Sequence, residues 1–169
     1  MALPVTRPNS TIADGGWAVI GAPTHHEAVD DEVKDNDATY VECAVGNTML
    51  KLGLAPIEPP RTKNLHEVRI WAIAIGSAKG ESLDGWMYQG ETLIAQLYSK
   101  KSIGRIPDYG ISIRAPLGTD EAELITDYSA LELHFNYNTM AEGEHIRITM
   151  MEFQVPFPLV WKSPVIMWG

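Results

Sequence analysis

The chain has little cysteine, few basic residues, no long apolar run and almost no helical periodicity, and each shortage closes a class of protein. One cysteine, Cys43, rules out an internal disulfide framework. Val41 and Val45 stand two residues to either side of it, which places Cys43 on the apolar face of a strand as a packed small hydrophobe rather than a reactive thiol. No window approaches the ~18 uninterrupted apolar residues of a membrane span. The opening Met1-Ala2-Leu3-Pro4-Val5-Thr6 has neither the charged region nor the apolar block of a signal peptide, so synthesis in a cytoplasm is the expectation. Lys and Arg number 13 against 22 Asp and Glu, and the largest basic cluster is the pair Lys100-Lys101. On that balance a surface that tracks phosphates is not expected, nor is nucleic acid as a partner. At 169 residues the chain is read as one domain with enough core to fold without staples.

What is present is a rhythm of short apolar runs alternating every second residue, punctuated by Gly, Pro, Asn and Asp. That rhythm predicts an all-β fold, an antiparallel β-sandwich of jelly-roll character over about residues 14–155. Strands are expected at 38–45, 48–54, 67–75, 92–98, 111–115, 131–137 and 146–155. In the sixth, Leu131, Leu133, Phe135 and Tyr137 share one face and Glu132, His134 and Asn136 the other. In the seventh, Ile146, Ile148 and Met150 oppose Arg147, Thr149 and Met151. The polar, Gly-bearing stretch 138–143 between them suggests an antiparallel hairpin. Strand 67–75 is apolar on both sides, with Val68, Ile70, Ala72 and Ala74 opposite Arg69, Trp71, Ile73 and Ile75, as in a strand covered on both faces or facing another subunit. Prolines 56, 59 and 60 make 56–64 a connection, and 119–125 has room for one helical turn capped by Thr119 or Asp120.

Both ends depart from this rhythm. Residues 1–13, with Pro4 and Pro8, read as an extended N-terminal arm. Residues 156–169 are apolar and aromatic and are broken by Pro156, Pro158 and Pro164, which forbid a continuous helix and disfavour an internal strand. So much apolar surface needs a cover. Phe157, Trp161, Val165, Ile166, Met167 and Trp168 are therefore the candidate partner-binding residues of a C-terminal arm, the alternative being a tail that closes over its own sandwich.

Motifs for chemistry fail on spacing. The acidic stretch 30–37 has the oxygens for calcium, but an EF-hand frame from Asp31 puts Val33 at the third position, and one from Asp35 puts Tyr40 where glycine is required. It reads as a turn capped by Asp and Asn side chains. His26-Glu27 opens a two-histidine zinc motif, yet Asp30 occupies the second ligand position. His66, His134 and His145 are expected to be ordinary exposed histidines. There is no Gly-x-Ser-x-Gly; Ser77-Ala78-Lys79 and Ser99-Lys100-Lys101 are not Ser-x-x-Lys; and Gly76, Gly80, Gly85 and Gly90 are spaced as turns without a phosphate-loop lysine. Glu132 and Glu152, on strands expected to be adjacent, can pair in space, but any β-sandwich offers such pairs. The sequence therefore indicates no catalytic residues, no metal and no cofactor.

The aromatics leave two readings open. Trp17, Trp71, Trp86, Trp161 and Trp168, with Tyr88 and Tyr98, can form a platform on which sugar rings stack. Alternatively, Trp17 and Trp71 are core and the other three tryptophans line protein contacts.

One segment carries a family likeness. Arg7-Pro8-Asn9, Gly15-Gly16-Trp17, Gly21-Ala22-Pro23-Thr24, the acidic run from Glu27 to Glu32, and Asp35-Asn36-Asp37-Ala38-Thr39-Tyr40-Val41 follow one another in order. This opening resembles that of small β-sandwich virion proteins of tailed bacteriophages, the decoration, cement or head-fibre type. The resemblance implies a non-catalytic structural protein on a capsid surface, made in the host cytoplasm, that binds the major capsid protein lattice and copies of itself, with homotrimers common among such proteins. The alternatives are a carbohydrate-binding module of a phage fibre or host-recognition device, and a tail or baseplate component.

Overall fold

A computed structural model of the protein describes residues 3–32, 38–44, 46, 48–75, 82–103, 113–138 and 144–156. Its strands are β1 (Val5–Thr6), β2 (Pro8–Ala13), β3 (Ala18–Ile20), β4 (Tyr40–Cys43), β5 (Thr48–Leu54), β6 (Glu67–Ile75), β7 (Ser82–Gln89), β8 (Thr92–Ser102), β9 (Ile113–Pro116), β10 (Leu131–Asn138) and β11 (His145–Gln154), with one short helix, α1 (Thr119–Glu123). They form two antiparallel sheets. The first runs β3-β4-β11-β6-β9, with β1 alongside β11, and the second runs β2-β5-β10-β7-β8. The antiparallel β-sandwich expected from the alternation is the architecture found. No helix among the described residues is long and apolar enough to cross a membrane.

The core lies between the sheets, where the period of two collects one side chain in every pair from each strand. Val68 and Ile70 of β6 and Ile146 and Ile148 of β11 face Leu50 and Leu52 of β5, Leu83 and Met87 of β7, and Leu133, Phe135 and Tyr137 of β10, all fully buried. Trp17 joins this core at 3% exposure and donates its indole N–H to the Thr48 carbonyl at 3.3 Å. Cys43 is buried against the Thr48 hydroxyl at 3.1 Å, the packed position read from its valine neighbours.

Several expectations are corrected. Strands β10 and β11 do not make a hairpin: β10 pairs with β5 and β7 in the second sheet, β11 with β4, β6 and β1 in the first. The connection therefore crosses the sandwich. Glu132 and Glu152 consequently lie on different sheets. Alternation reports that a strand has one buried face but is silent on which sheet receives it. Within β11 the register with β6 shifts between Ile148 and Met150, so Ile148 stands opposite Ala72, Met150 opposite Trp71 and Met151 opposite Ile70. That bulge turns the strand over, and Met151 rather than Met150 continues the core face.

The N-terminal stretch is not an arm. Val5–Thr6 pairs with Phe153 and Gln154, and Pro8–Ala13 forms the edge of the second sheet against β5. Pro8 is tolerated there because the first residue of an edge strand owes no ladder hydrogen bond. Along β11, β4 covers one end and β1 the other; between them the Val29 carbonyl accepts the Met151 N–H at 2.9 Å. Ala28 and Val29, just before the acidic stretch 30–37, are fully buried by this plug. Of the run itself, Asp31 accepts the Thr39 hydroxyl at 3.1 Å, and residues 33–37 lie outside the described residues.

Strand β7 was missed because Gly85 looks like turn punctuation. It is mid-strand and fills the inner position between Leu83 and Met87, where a Cβ would meet Tyr98 Cδ2 at 2.6 Å and Phe135 Cε1 at 3.0 Å. The helical turn at 119–123 is present, but Gly118 is its cap, with the Glu121 carboxylate accepting the Gly118 N–H at 2.7 Å.

Candidate functional site

The outer face of the second sheet is assembled around β10. Pairing sets Glu132 between Gly53 of β5 and Tyr88 of β7, His134 between Lys51 and Trp86, and Asn136 between Met49 and Asp84. Alternation turns all of these side chains away from the core. The Tyr88 ring stacks on the His134 imidazole, with centroids 4.4 Å apart and planes 23° from parallel. His134 Nε2 lies 2.8 Å from Glu132 Oε2. A carboxylate only accepts, so Nε2 carries the proton and donates it. Burial is the main reason that His134 titrates below its usual value of 6.5; the hydrogen bond to Glu132 opposes the shift and the Lys51 ammonium adds to it. The imidazole is therefore neutral at neutral pH, pressed under a tyrosine ring and oriented by a carboxylate.

Beside this pair is a groove of about 420 Å³, lined by Ile12, Met49, Lys51, Tyr88, Glu91 and Glu132 among others. A second hollow, of about 290 Å³, shares Ile12, Gly90 and Glu132 with it and continues to Pro56 and Ser129. Gly53 permits the edge strand to close in, since a Cβ there would collide with Ser10 Oγ. The turn at the far end is tied to β7 by one side chain: Gln89 donates to the Thr126 hydroxyl and accepts the N–H groups of Thr126 and Asp127, each at 2.9 Å. Further along the same face Asp84 accepts from Asn138 Nδ2 at 2.7 Å and from the Lys100 N–H at 2.6 Å. The arrangement offers an aromatic face, a carboxylate acceptor and an ammonium donor side by side.

The opposite outer face is different. On the first sheet Trp71, Ile73 and Ile75 of β6 form a half-buried apolar row. Around it Arg69 pairs with Glu67 and Glu152, Arg7 reaches Glu152 at 3.7 Å, and Arg147 pairs with Glu42 while lying 4.6 Å from the Tyr40 ring centroid. Trp71 is thus not a core residue. It stands on the outward side of a strand whose inward side is Val68, Ile70, Ala72 and Ala74.

Of the seven aromatics considered for a sugar platform, Trp86 and Tyr88 share the outer face of the second sheet, and Trp17 and Tyr98 are core. Trp161 and Trp168, with the other proposed contact residues Phe157, Val165, Ile166 and Met167, lie outside the described residues. Two of the histidines expected to be exposed are buried. His134 is 6% exposed, and His66 is fully enclosed with Nε2 2.7 Å from the Tyr128 hydroxyl. Burial holds His66 below its usual range and pushes the Tyr128 hydroxyl up to about 12. Near the failed zinc motif, His25 Nε2 donates to the Trp17 carbonyl at 2.7 Å and the Thr24 hydroxyl donates to Glu27 at 2.6 Å, so these side chains hold a turn. Among the described residues, no group of three or more His, Cys, Asp or Glu side chains is placed to hold a metal ion. The pairing of His134 with Tyr88 and Glu132 was missed because it depends on cross-strand register, of which the sequence carries only the alternation.

Fold and face together define a β-sandwich domain with a polar and aromatic groove on one sheet. No protein-family model matches the sequence, and no curated protein matches it. Among solved structures the chain is similar to the CBM22-1 xylan-binding domain of Xyn10C from Paenibacillus barcinonensis, with a TM-score of 0.51 and 9% identity over 92% of this chain and 97% of that one. It also aligns with the Agl-KA catalytic domain at a TM-score of 0.47 and 12% identity, over 98% of this chain and 30% of that one. At these identities the likeness shows the fold alone.

Proposed function

We propose that the protein is a non-catalytic β-sandwich module that binds carbohydrate through the outer face of its second sheet. The observation that carries this reading is the Tyr88–His134 stack at 4.4 Å beside the groove, flanked by Glu132 and Lys51. A pyranose has an apolar face and a rim of hydroxyls. An aromatic surface accepts the first, and a carboxylate and an ammonium at its edge accept and donate to the second. Glu132 and Asp84 are each engaged by neighbouring donors, which suits holding a ligand better than moving a proton. The similarity in fold to a xylan-binding domain agrees with this reading. A screen of the purified protein against immobilised plant, bacterial and host glycans, followed by calorimetry on the hits, tests it. Binding that Tyr88→Ala weakens about 30-fold while the fold persists is the expected result. A protein that binds no glycan, or binds equally well without Tyr88, refutes it.

A second reading, assembly on a phage capsid, rests on a different surface. The row Trp71, Ile73 and Ile75 supports it as a patch suited to another protein subunit, in keeping with the resemblance of residues 7–41 to virion decoration proteins. Copurification with capsid shells in many copies, lost on deleting residues 159–169 or on replacing Trp71, is its test. A protein absent from particles ends it.

A further inference from the structure

The two hollows of the second sheet are one trough. They share Ile12, Gly90 and Glu132, and their floor consists of alternate residues on two paired strands, Lys51 and Gly53 on β5 beside His134 and Glu132 on β10. A floor made of alternate residues on neighbouring strands runs parallel to those strands. At ~3.3 Å per residue, the stretch from Ala130 to His134 is about 13 Å long, and continuing to Asn136 makes it about 20 Å. That is longer than a single sugar ring needs. The walls are β2, through Ser10 and Ile12, and β7 with its turn, through Tyr88 and Gly90. One end runs out between the exposed Asn9, Ser129 and Ala130, and beyond His134 the same outer face continues to Asn136, paired with Asp84.

The charge along the trough is also informative. Glu91 and Glu132 contribute two carboxylates and Lys51 one ammonium, while His134 is neutral at neutral pH. The chain as a whole carries −9. A polyanionic chain laid along this surface meets like charge with a single cation to offset it.

Resting on the carbohydrate-binding reading above, we infer that the trough takes an internal stretch of a linear, uncharged polysaccharide. Its axis lies parallel to β5 and β10, with one sugar on the Tyr88–His134 stack and the next ones along Glu132 toward Ser129. The turn carrying Ser129 and Ala130 forms the distal subsite. Gln89 is its positioning residue, since its three hydrogen bonds at 2.9 Å hold residues 126 and 127 against the end of β7.

The test is calorimetry of the whole chain with cello-, xylo- and manno-oligosaccharides from disaccharide to hexasaccharide, each also with its reducing end blocked, and with oligogalacturonides as the charged counterpart. The expected result is affinity that climbs about tenfold or more beyond the disaccharide, indifference to the blocked end, and weak binding of the galacturonides. Gln89→Ala should then weaken the hexasaccharide by about tenfold, leave the disaccharide unchanged and leave the melting temperature within a few degrees. Affinity that saturates at the disaccharide, a requirement for a free end, or galacturonides that bind as tightly as neutral chains overturns the inference while sparing carbohydrate binding itself. Failure of every probe, charged and neutral, removes both.

Discussion

Removing the Tyr88 ring tests the platform without knowledge of the ligand. In Tyr88→Ala the stack on His134, with centroids 4.4 Å apart, is lost. Such pairs contribute about 0.5–1.5 kcal/mol beyond the area they bury. With the buried area of a half-buried ring added, the loss comes to about 2 kcal/mol, which for a domain of this size lowers the melting temperature by about 6 °C, so the variant stays folded and measurable. The sharper readout is His134 itself. Burial is the largest cause of its lowered pKa, and the tyrosine ring is part of the cover. Without the ring, water reaches the imidazole, the penalty on the charged form falls, and the pKa rises toward 6.5; the Glu132 carboxylate favours the same direction. Titration of the His134 ring by NMR in the wild type, Tyr88→Ala and Tyr88→Phe measures it. The phenylalanine variant keeps the cover and should titrate as the wild type does. A glycan identified by screening should bind Tyr88→Ala about 30-fold more weakly, corresponding to the ~2 kcal/mol of an aromatic anchor. A His134 that titrates identically in the alanine variant refutes the stacking geometry and the binding platform built on it.

Other outcomes follow from the same physics. Gly85→Ala puts a methyl 2.6 Å from the Tyr98 ring and 3.0 Å from Phe135, both buried, so chemical denaturation should report a loss of about 1–3 kcal/mol; an unchanged midpoint would mean that the inner face there is looser than described. Trp71→Ala should cost about 2 kcal/mol, less than the ~3–5 of an enclosed tryptophan, because Trp71 is half-buried on an outer face; a loss in the larger range would show that another subunit covers it. His66 and His134 both titrate below 6.5 in the folded state, so between the folded values and 6.5 the unfolded chain binds more protons, and stability rises with pH across that window. The melting temperature should therefore drop on acidification from about pH 7 to about pH 5, where a flat profile contradicts the burial of these rings.

Much of the architecture was legible because a strand with one buried face writes a period of two into its residues. β5 and β6 were placed to the residue, and β10 to within one residue at its end. The same alternation named the core positions of β6 and β10 and put Glu132 and His134 on the outward side. It failed where a strand lacks apolar side chains for a structural reason. Gly85 is required by the Tyr98 ring, and Pro8 is allowed by an edge, so β7 and β2 were read as a turn and an arm.

Pairing was settled only by the tertiary structure. Nothing in the chain assigns β10 and β11 to opposite sheets, and the bulge after Ile148, which turns Met151 inward, arises from how β11 meets β6. The candidate site depends on pairing entirely. Tyr88 and His134 are far apart in sequence and become a stacked pair because β7 and β10 are neighbours in one register, and a slip of a single residue would turn one of them into the core. Composition and alternation determined that this chain is a β-sandwich poor in basic charge, since those properties are summed residue by residue. Which outward side chains meet to form a surface is a property of strand order and register, fixed by the packing of the whole core.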